Sequence, residues 1–214
     1  MVRFPRLSEE NRHICLRLHS FSGPADRSRP LRHLFYTSLF LAGLSTHYQP
    51  EADTIETFMI RLDIQGFGIL ELRHFVSDFS GTLAEDGVLL PGITEKLREL
   101  SGHLTVHVIT SDTFGKAREE LRGVPCRIQV LEGDRHLTQK ETYIASLGSD
   151  TVVSIGNGNN DAGMLKAARL GICVCLKEGC SVAALSASAV LVRSPIDAID
   201  LLLNPKRLTA TLRR

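Results

Sequence analysis

The chain has 214 residues, 43% hydrophobic and 23% charged, with a formal net charge of +1. That is enough apolar material for one sizeable core, and the near-neutral balance gives no reason for nucleic acid or a membrane surface to be the main partner. Five cysteines without regular spacing make no disulfide framework, so a reducing cytoplasm is the expected setting.

The first 58 residues differ from the rest of the chain. Residues 1–33 hold seven arginines, no lysine, three acids and four prolines or glycines without period, a composition that does not build a core. Residues 34–44 are apolar apart from Thr37, Ser38 and Gly43. That run is too short to span a bilayer and sits too far along the chain for a secretory signal. Arginine and serine are frequent as in an organellar transit peptide, but the acids oppose that reading. Two readings stay open: a flexible extension with one short helix, or translation from a start upstream of the functional one, with Met59 as the natural start.

From Met59 the pattern sharpens. Ile60, Leu62 and Ile64 alternate with Arg61 and Asp63, Gln65-Gly66-Phe67-Gly68 offers a turn, and 69–72 run back, which predicts a hairpin. Phe75 and Val76 lead into Asp78 as the first central strand. Asp86-Gly87, between Leu83 and Val88, predicts a second small hairpin, a flap beside Asp78. Pro91 opens a helix through Ile93, Leu97 and Leu100, and 104–110 form the next strand. A helix over 114–121, a short strand over 128–131 and a helix over 140–147 come after it. Beyond them lie a strand at Val152, Val153 and Ile155, a helix from Asp161 through Met164, Leu165 and Ala168, and a strand at Ile172. A helix over 181–185, a strand at Val190 and a last helix from Ile196 complete the pattern. Such alternation predicts an α/β fold, a three-layer doubly wound parallel sheet over 59–214 preceded by the 1–58 extension. Cys173 and Cys175 share one face of a strand and read as small buried hydrophobes, because two thiols are too few for a metal.

The residues with chemistry sit at the strand ends. In an open parallel sheet, ligands bind beyond the carboxyl ends of the strands. Asp78-Phe79-Ser80-Gly81-Thr82-Leu83 places a carboxylate there, and Gly156-Asn157-Gly158-Asn159-Asn160-Asp161 does the same after a later strand. Thr110 ends the strand between them, and Lys140 is one of six lysines beside nineteen arginines. Phosphate transfer needs a nucleophile or activated water, a cation and donors that hold the phosphoryl oxygens in line. Asp78 can be that nucleophile, Asp78 and Asp161 can share Mg²⁺, Thr110 can bind a phosphoryl oxygen and Lys140 can offset the charge. Each also has a plain reading: a turn-forming or capping aspartate, a capping threonine, a solvated lysine. The glycine-rich stretch 156–161 lacks both the Lys-Ser/Thr ending of a P-loop and the dinucleotide spacing.

This ordered set resembles the haloacid dehalogenase superfamily of phosphatases and phosphotransferases. Asp78 to Leu83 matches its first motif, Thr110 the second, Lys140 the third and 156–161 the fourth. The wording leans toward the catalytic domain of P-type ATPases: Thr110-Ser111-Asp112 resembles their Thr-Gly-Asp, and 156–161 their Gly-Asp-Gly-x-Asn-Asp. A soluble P-type-ATPase-like phosphatase is the implied class, since membrane spans and the other pump domains are missing from this sequence. The resemblance implies catalytic roles for Asp78, Lys140 and Thr110, substrate contacts for Thr110, Ser111, Lys140, Gly81 and Asn160, and Mg²⁺ held by Asp78, the Ser80 carbonyl, Asp161 and Asn157. Two departures matter. Most of the superfamily's phosphatases carry an acid two residues after the nucleophile, where this chain has Ser80. Asn157 stands where the pumps carry a metal-binding acid.

The stretches 78–110 and 110–140 leave no room for a cap domain, so the site is expected to be open and a homo-oligomer is favoured. The sequence thus predicts a Mg²⁺-dependent capless phosphatase acting on a small phosphorylated substrate through an aspartyl phosphate on Asp78. Two other readings are a phosphoryl-binding regulatory module with little turnover, as Ser80 and Asn157 permit, and an interaction protein that uses the arginine-rich extension.

Overall fold

The computed structural model describes residues 58–111 and 115–214. Chain order begins with an antiparallel hairpin, β1 (Ile60–Ile64) and β2 (Gly68–Leu72), a two-stranded sheet of its own. Next come β3 (His74–Asp78), the flap β4 (Ala84–Glu85) and β5 (Val88–Leu89), and helix α1 (Ile93–Ser101). After these stand β6 (Thr105–Thr110), α2 (Lys116–Glu120), β7 (Arg127–Val130) and α3 (His136–Leu147). The remainder runs β8 (Val152–Gly156), α4 (Ala162–Ala167), β9 (Leu170–Val174), α5 (Val182–Ser186), β10 (Val190–Val192), α6 (Pro195–Leu203) and α7 (Pro205–Leu212).

Six strands form one parallel sheet in the order β10-β9-β8-β3-β6-β7. From β3 the chain steps outward through β6 to β7, then returns to the other flank of β3 for β8, β9 and β10. The crevice between β3 and β8 is therefore the topological switch point. Successive side chains leave a strand on opposite faces. Phe75, Val106, Val153 and Ile172 pack with α1, α6, α7 and the β1–β2 hairpin; Val76, Ile109, Val152 and Cys173 pack with α3, α4 and α5. Both faces are covered, which is why the central strands read as continuous apolar runs. In α1 the buried residues are Ile93, Leu97 and Leu100, the spacing that puts one stripe on the sheet.

The α/β layered sheet, the hairpin and the flap stand as the sequence predicts. The flap turns at Asp86 (φ 51°) and Gly87 (φ 79°), the left-handed pair of a type I′ hairpin. Several boundaries differ: α1 begins at Ile93 and not at Pro91, and others shift by a residue or two. The helix expected over 114–121 spans Lys116–Glu120, with Phe114 outside the described residues. The helix expected over 140–147 begins at His136, so Lys140 lies in its second turn instead of opening it. The last helix is two, α6 and α7, because Pro205 has no N–H to continue the α6 ladder and starts a new helix instead. Between β3 and β6 the chain holds only the flap and α1. The 1–58 extension lies, but for Phe58, outside the described residues. Among those described, no helix is long and apolar enough to cross a membrane.

Candidate active site

Asp78 is the last residue of β3, and Gly156 the last of β8, the strand beside it. Alternation sends Asp78 to the same face as Val76, the face covered by α3. Lys140 reaches it from there. Its Nζ donates to Asp78 Oδ1 at 2.5 Å and to Asp161 Oδ1 at 2.6 Å, and only 1% of the lysine side chain is exposed. A solvated surface lysine is ruled out by that burial.

Asp161 ends a 3₁₀ turn, Asn159–Asp161, and enters α4. Its Oδ2 accepts from the backbone N–H of Asn157 at 2.9 Å and of Gly158 at 2.8 Å, which folds the loop back over its own carboxylate. The fold-back needs glycine at 156: a Cβ there would stand 2.7 Å from Asp161 Cβ and Cγ. On the other side, the Thr82 hydroxyl lies 3.5 Å from Asp78 Oδ2 and 3.3 Å from Asn157 Oδ1, linking the two strand ends. Gly81 turns with φ 71°, and a Cβ on it would meet Asn157 Nδ2 at 2.6 Å and Glu178 Oε2 at 2.7 Å. Asn157 Nδ2 donates to Gly179 O at 3.4 Å.

Of the other expected residues, Thr110 is buried at the end of β6, one position beyond Ile109, the register partner of Asp78. Ser111 is exposed just after it, and Ser80 and Asn160 are exposed on their loops. Asp112 lies outside the described residues. Two residues that touch the site were not assigned from sequence: Thr82, read only as a turn former, and Glu178. Both meet partners remote in the chain, so no local spacing marks them.

Two carboxylates share one ammonium in a buried pocket, and the charge is unbalanced. Burial first, then the neighbouring Asp161, push Asp78 up to about 7, although Lys140 pulls it down. Burial alone would lower Lys140, but Asp78 and Asp161 hold it above its ordinary value, so it stays protonated. Two carboxylates against one ammonium leave a net negative charge, and their hard oxygens are the donor type that Mg²⁺ takes. No three acidic, histidine or cysteine side chains form a ligand set among the described residues.

No family model matches the chain. An uncharacterized protein of Methanocaldococcus jannaschii is 50% identical over 62 residues, which are 29% of this chain and 67% of that protein. Among solved structures, the 3-deoxy-D-manno-octulosonate 8-phosphate phosphatase of Moraxella catarrhalis, in complex with magnesium, phosphate and a KDO molecule, superposes with a TM-score of 0.50 at 17% identity. The alignment covers 62% of this chain and 86% of that one. The cobalt-bound phosphatase of the same kind from Haemophilus influenzae gives 0.53 at 11% identity, covering 67% and 94%. A haloacid dehalogenase superfamily hydrolase of Legionella pneumophila gives 0.51 at 16% identity, covering 65% and 87%. At these identities the likeness is one of fold.

Proposed function

We propose, from the premise that the chain belongs by its fold to the haloacid dehalogenase superfamily and by sequence to one family with the Methanocaldococcus protein, that it is a Mg²⁺-dependent phosphatase working through an aspartyl phosphate on Asp78. The observation that carries this reading is the Lys140 ammonium between Asp78 and Asp161 at the switch point. A lysine buried against two carboxylates is costly to keep unless the pocket is built for a charged ligand.

In this reading Asp78 Oδ2, the oxygen not held by Lys140, attacks phosphorus. The bond from phosphorus to the leaving oxygen breaks, and the phosphoryl group passes to the carboxylate. Lys140 balances charge on Asp78 and on the transferring group, and Thr110, Ser111, Gly81 and Asn160 would contact the phosphoryl oxygens. Asp161 keeps Lys140 in place and shapes the 156–161 loop. Asp78, the Ser80 carbonyl, Asp161 and Asn157 would hold Mg²⁺, which supplies electrostatic neutralisation of the phosphoryl oxygens when bound.

The substrate is a small phosphorylated compound, and the expected setting is the cytoplasm. The lack of an inserted cap between β3 and β6 supports an open site, which a homo-oligomer would narrow. The P-type-ATPase-like motifs favour phosphate ester or anhydride hydrolysis over transfer to carbon. Hydrolysis of p-nitrophenyl phosphate with Mg²⁺ tests the proposal. Turnover lost in Asp78→Asn and on chelation is the expected outcome; turnover that survives Asp78→Asn removes Asp78 from the chemistry.

A further inference from the structure

The superfamily position for an acid that handles protons is Ser80 in this chain, and an alcohol cannot do that work near neutrality. The geometry points to Glu178 as the group that takes it over: we infer that Glu178 is the general base that activates water to hydrolyse the aspartyl phosphate. This rests on the phosphatase reading of Asp78.

Glu178 lies on the tight turn between β9 and α5, closed by the Gly179 N–H donating to Leu176 O at 2.9 Å, with Gly179 at φ 79°. Three contacts dock that turn on the site. The Ser181 N–H donates to Asn157 O at 2.8 Å, Asn157 Nδ2 donates to Gly179 O at 3.4 Å, and Lys177 pairs with Glu85 of the flap at 2.6 Å. The result brings Glu178 Oε2 to 2.7 Å from where a Cβ of Gly81 would stand, beside Ser80 in the chain.

Three carboxylates border this end of the site, and two are committed. Asp161 accepts two backbone N–H groups and Lys140. Glu85 is paired with Lys177. Glu178 is exposed and has no hydrogen bond or ion pair among the described residues. It is open to solvent beside Gly81, whereas Lys140, on α3, is buried.

In the proposed step, water oxygen attacks phosphorus and the bond from phosphorus to Asp78 Oδ2 breaks. Glu178 takes the proton, inorganic phosphate leaves and the Asp78 carboxylate is restored. Formation of the phosphoenzyme from an acyl phosphate needs no such proton transfer, because the departing carboxylate is already a weak base. Glu178 therefore acts on the second half-reaction alone when the donor is an acyl phosphate.

The test separates the two halves. The full chain is phosphorylated with acetyl phosphate and Mg²⁺, and the decay of the acid-quenched phosphoenzyme is followed across pH. Glu178→Gln should form phosphoenzyme at the native rate and lose it about 10²-fold more slowly. Ser80→Asp in the Glu178→Gln background, which returns a carboxylate to the usual position, should restore decay, and Glu178→Asp should retain part of it. Native decay in Glu178→Gln would overturn this role and leave Asp78 phosphorylation standing. Failure of the native chain to form any phosphoenzyme would overturn both. Thermal melting of each variant distinguishes slow chemistry from a misfolded chain.

Discussion

Lys140 keeps two carboxylates within reach of one another that would otherwise repel, and removing it exposes what each contributes. Lys140→Met should destabilise the protein by about 3 to 5 kcal/mol in chemical denaturation, the range for stripping one partner from a buried ion pair. Adding Asp161→Asn should recover part of that loss, because the remaining carboxylate no longer faces a second one. A Lys140→Met protein as stable as the native one would mean that the triad is a solvated surface arrangement. That Asp78 and Asp161 would come together was legible in the sequence because each follows an apolar run at a strand end, whereas Lys140 reaches them from the second turn of α3 and not from its expected place at the helix start. Thr82 and Glu178 were not legible as site residues. Their positions depend on packing against Asn157 and Gly81, set by tertiary folding and not by any period.

At the scale of the elements, the end of β8 is the most constrained point of the site. Gly156→Ala would force its Cβ against Asp161 at 2.7 Å, so the 156–161 loop must shift. A cost of about 1 to 3 kcal/mol is expected, with loss of the proposed phosphatase activity larger than the loss of fold. Activity equal to the native level would show that the loop tolerates a different path. A second cross-element contact ties β3, β6 and α3: His107 Nε2 lies 3.1 Å from His74 Nδ1, and His107 Nδ1 lies 2.8 Å from the Tyr143 hydroxyl. Burial, then His74 and Arg127, push His107 down to about 4, and His74 is lowered too. Between about 4 and 6.5 the unfolded chain therefore binds more protons at these histidines, and stability rises with pH. Asp78 acts in the opposite sense: raised to about 7, it binds its proton more tightly when folded, and its contribution falls as pH rises from 3.8 to about 7. With a chelator present, Asp78→Asn should steepen the rise of melting temperature with pH over 4 to 6.5; an unchanged slope would mean that Asp78 titrates as in the unfolded chain. The elements themselves read well from apolar period and from Asp86-Gly87. The breaks at Asn204-Pro205 and at His136 did not, because a proline can open a helix as well as end one, and no capping side chain marks the start of α3.

For the whole molecule, alternation of strands and helices was enough to predict the layered parallel sheet, but not its strand order. Order is fixed by which apolar faces meet, and the return of the chain to the far flank of β3 leaves no local mark. Among the described residues, the main hydrophobic cluster runs from Ile60 to Leu212. We accordingly expect a chain beginning at Met59 to fold with the native melting temperature; a molten or insoluble product would mean that residues 1–58 complete the core. The central claim concerns a single atom group, the carboxylate of Asp78. Brief treatment with acetyl phosphate and Mg²⁺, acid quenching and peptide mapping by mass spectrometry read it directly. A hydroxylamine-labile phosphoryl group on the peptide that carries Asp78, absent from Asp78→Asn, is the predicted result. Phosphate released with no label on Asp78, or label that persists in Asp78→Asn, would contradict it.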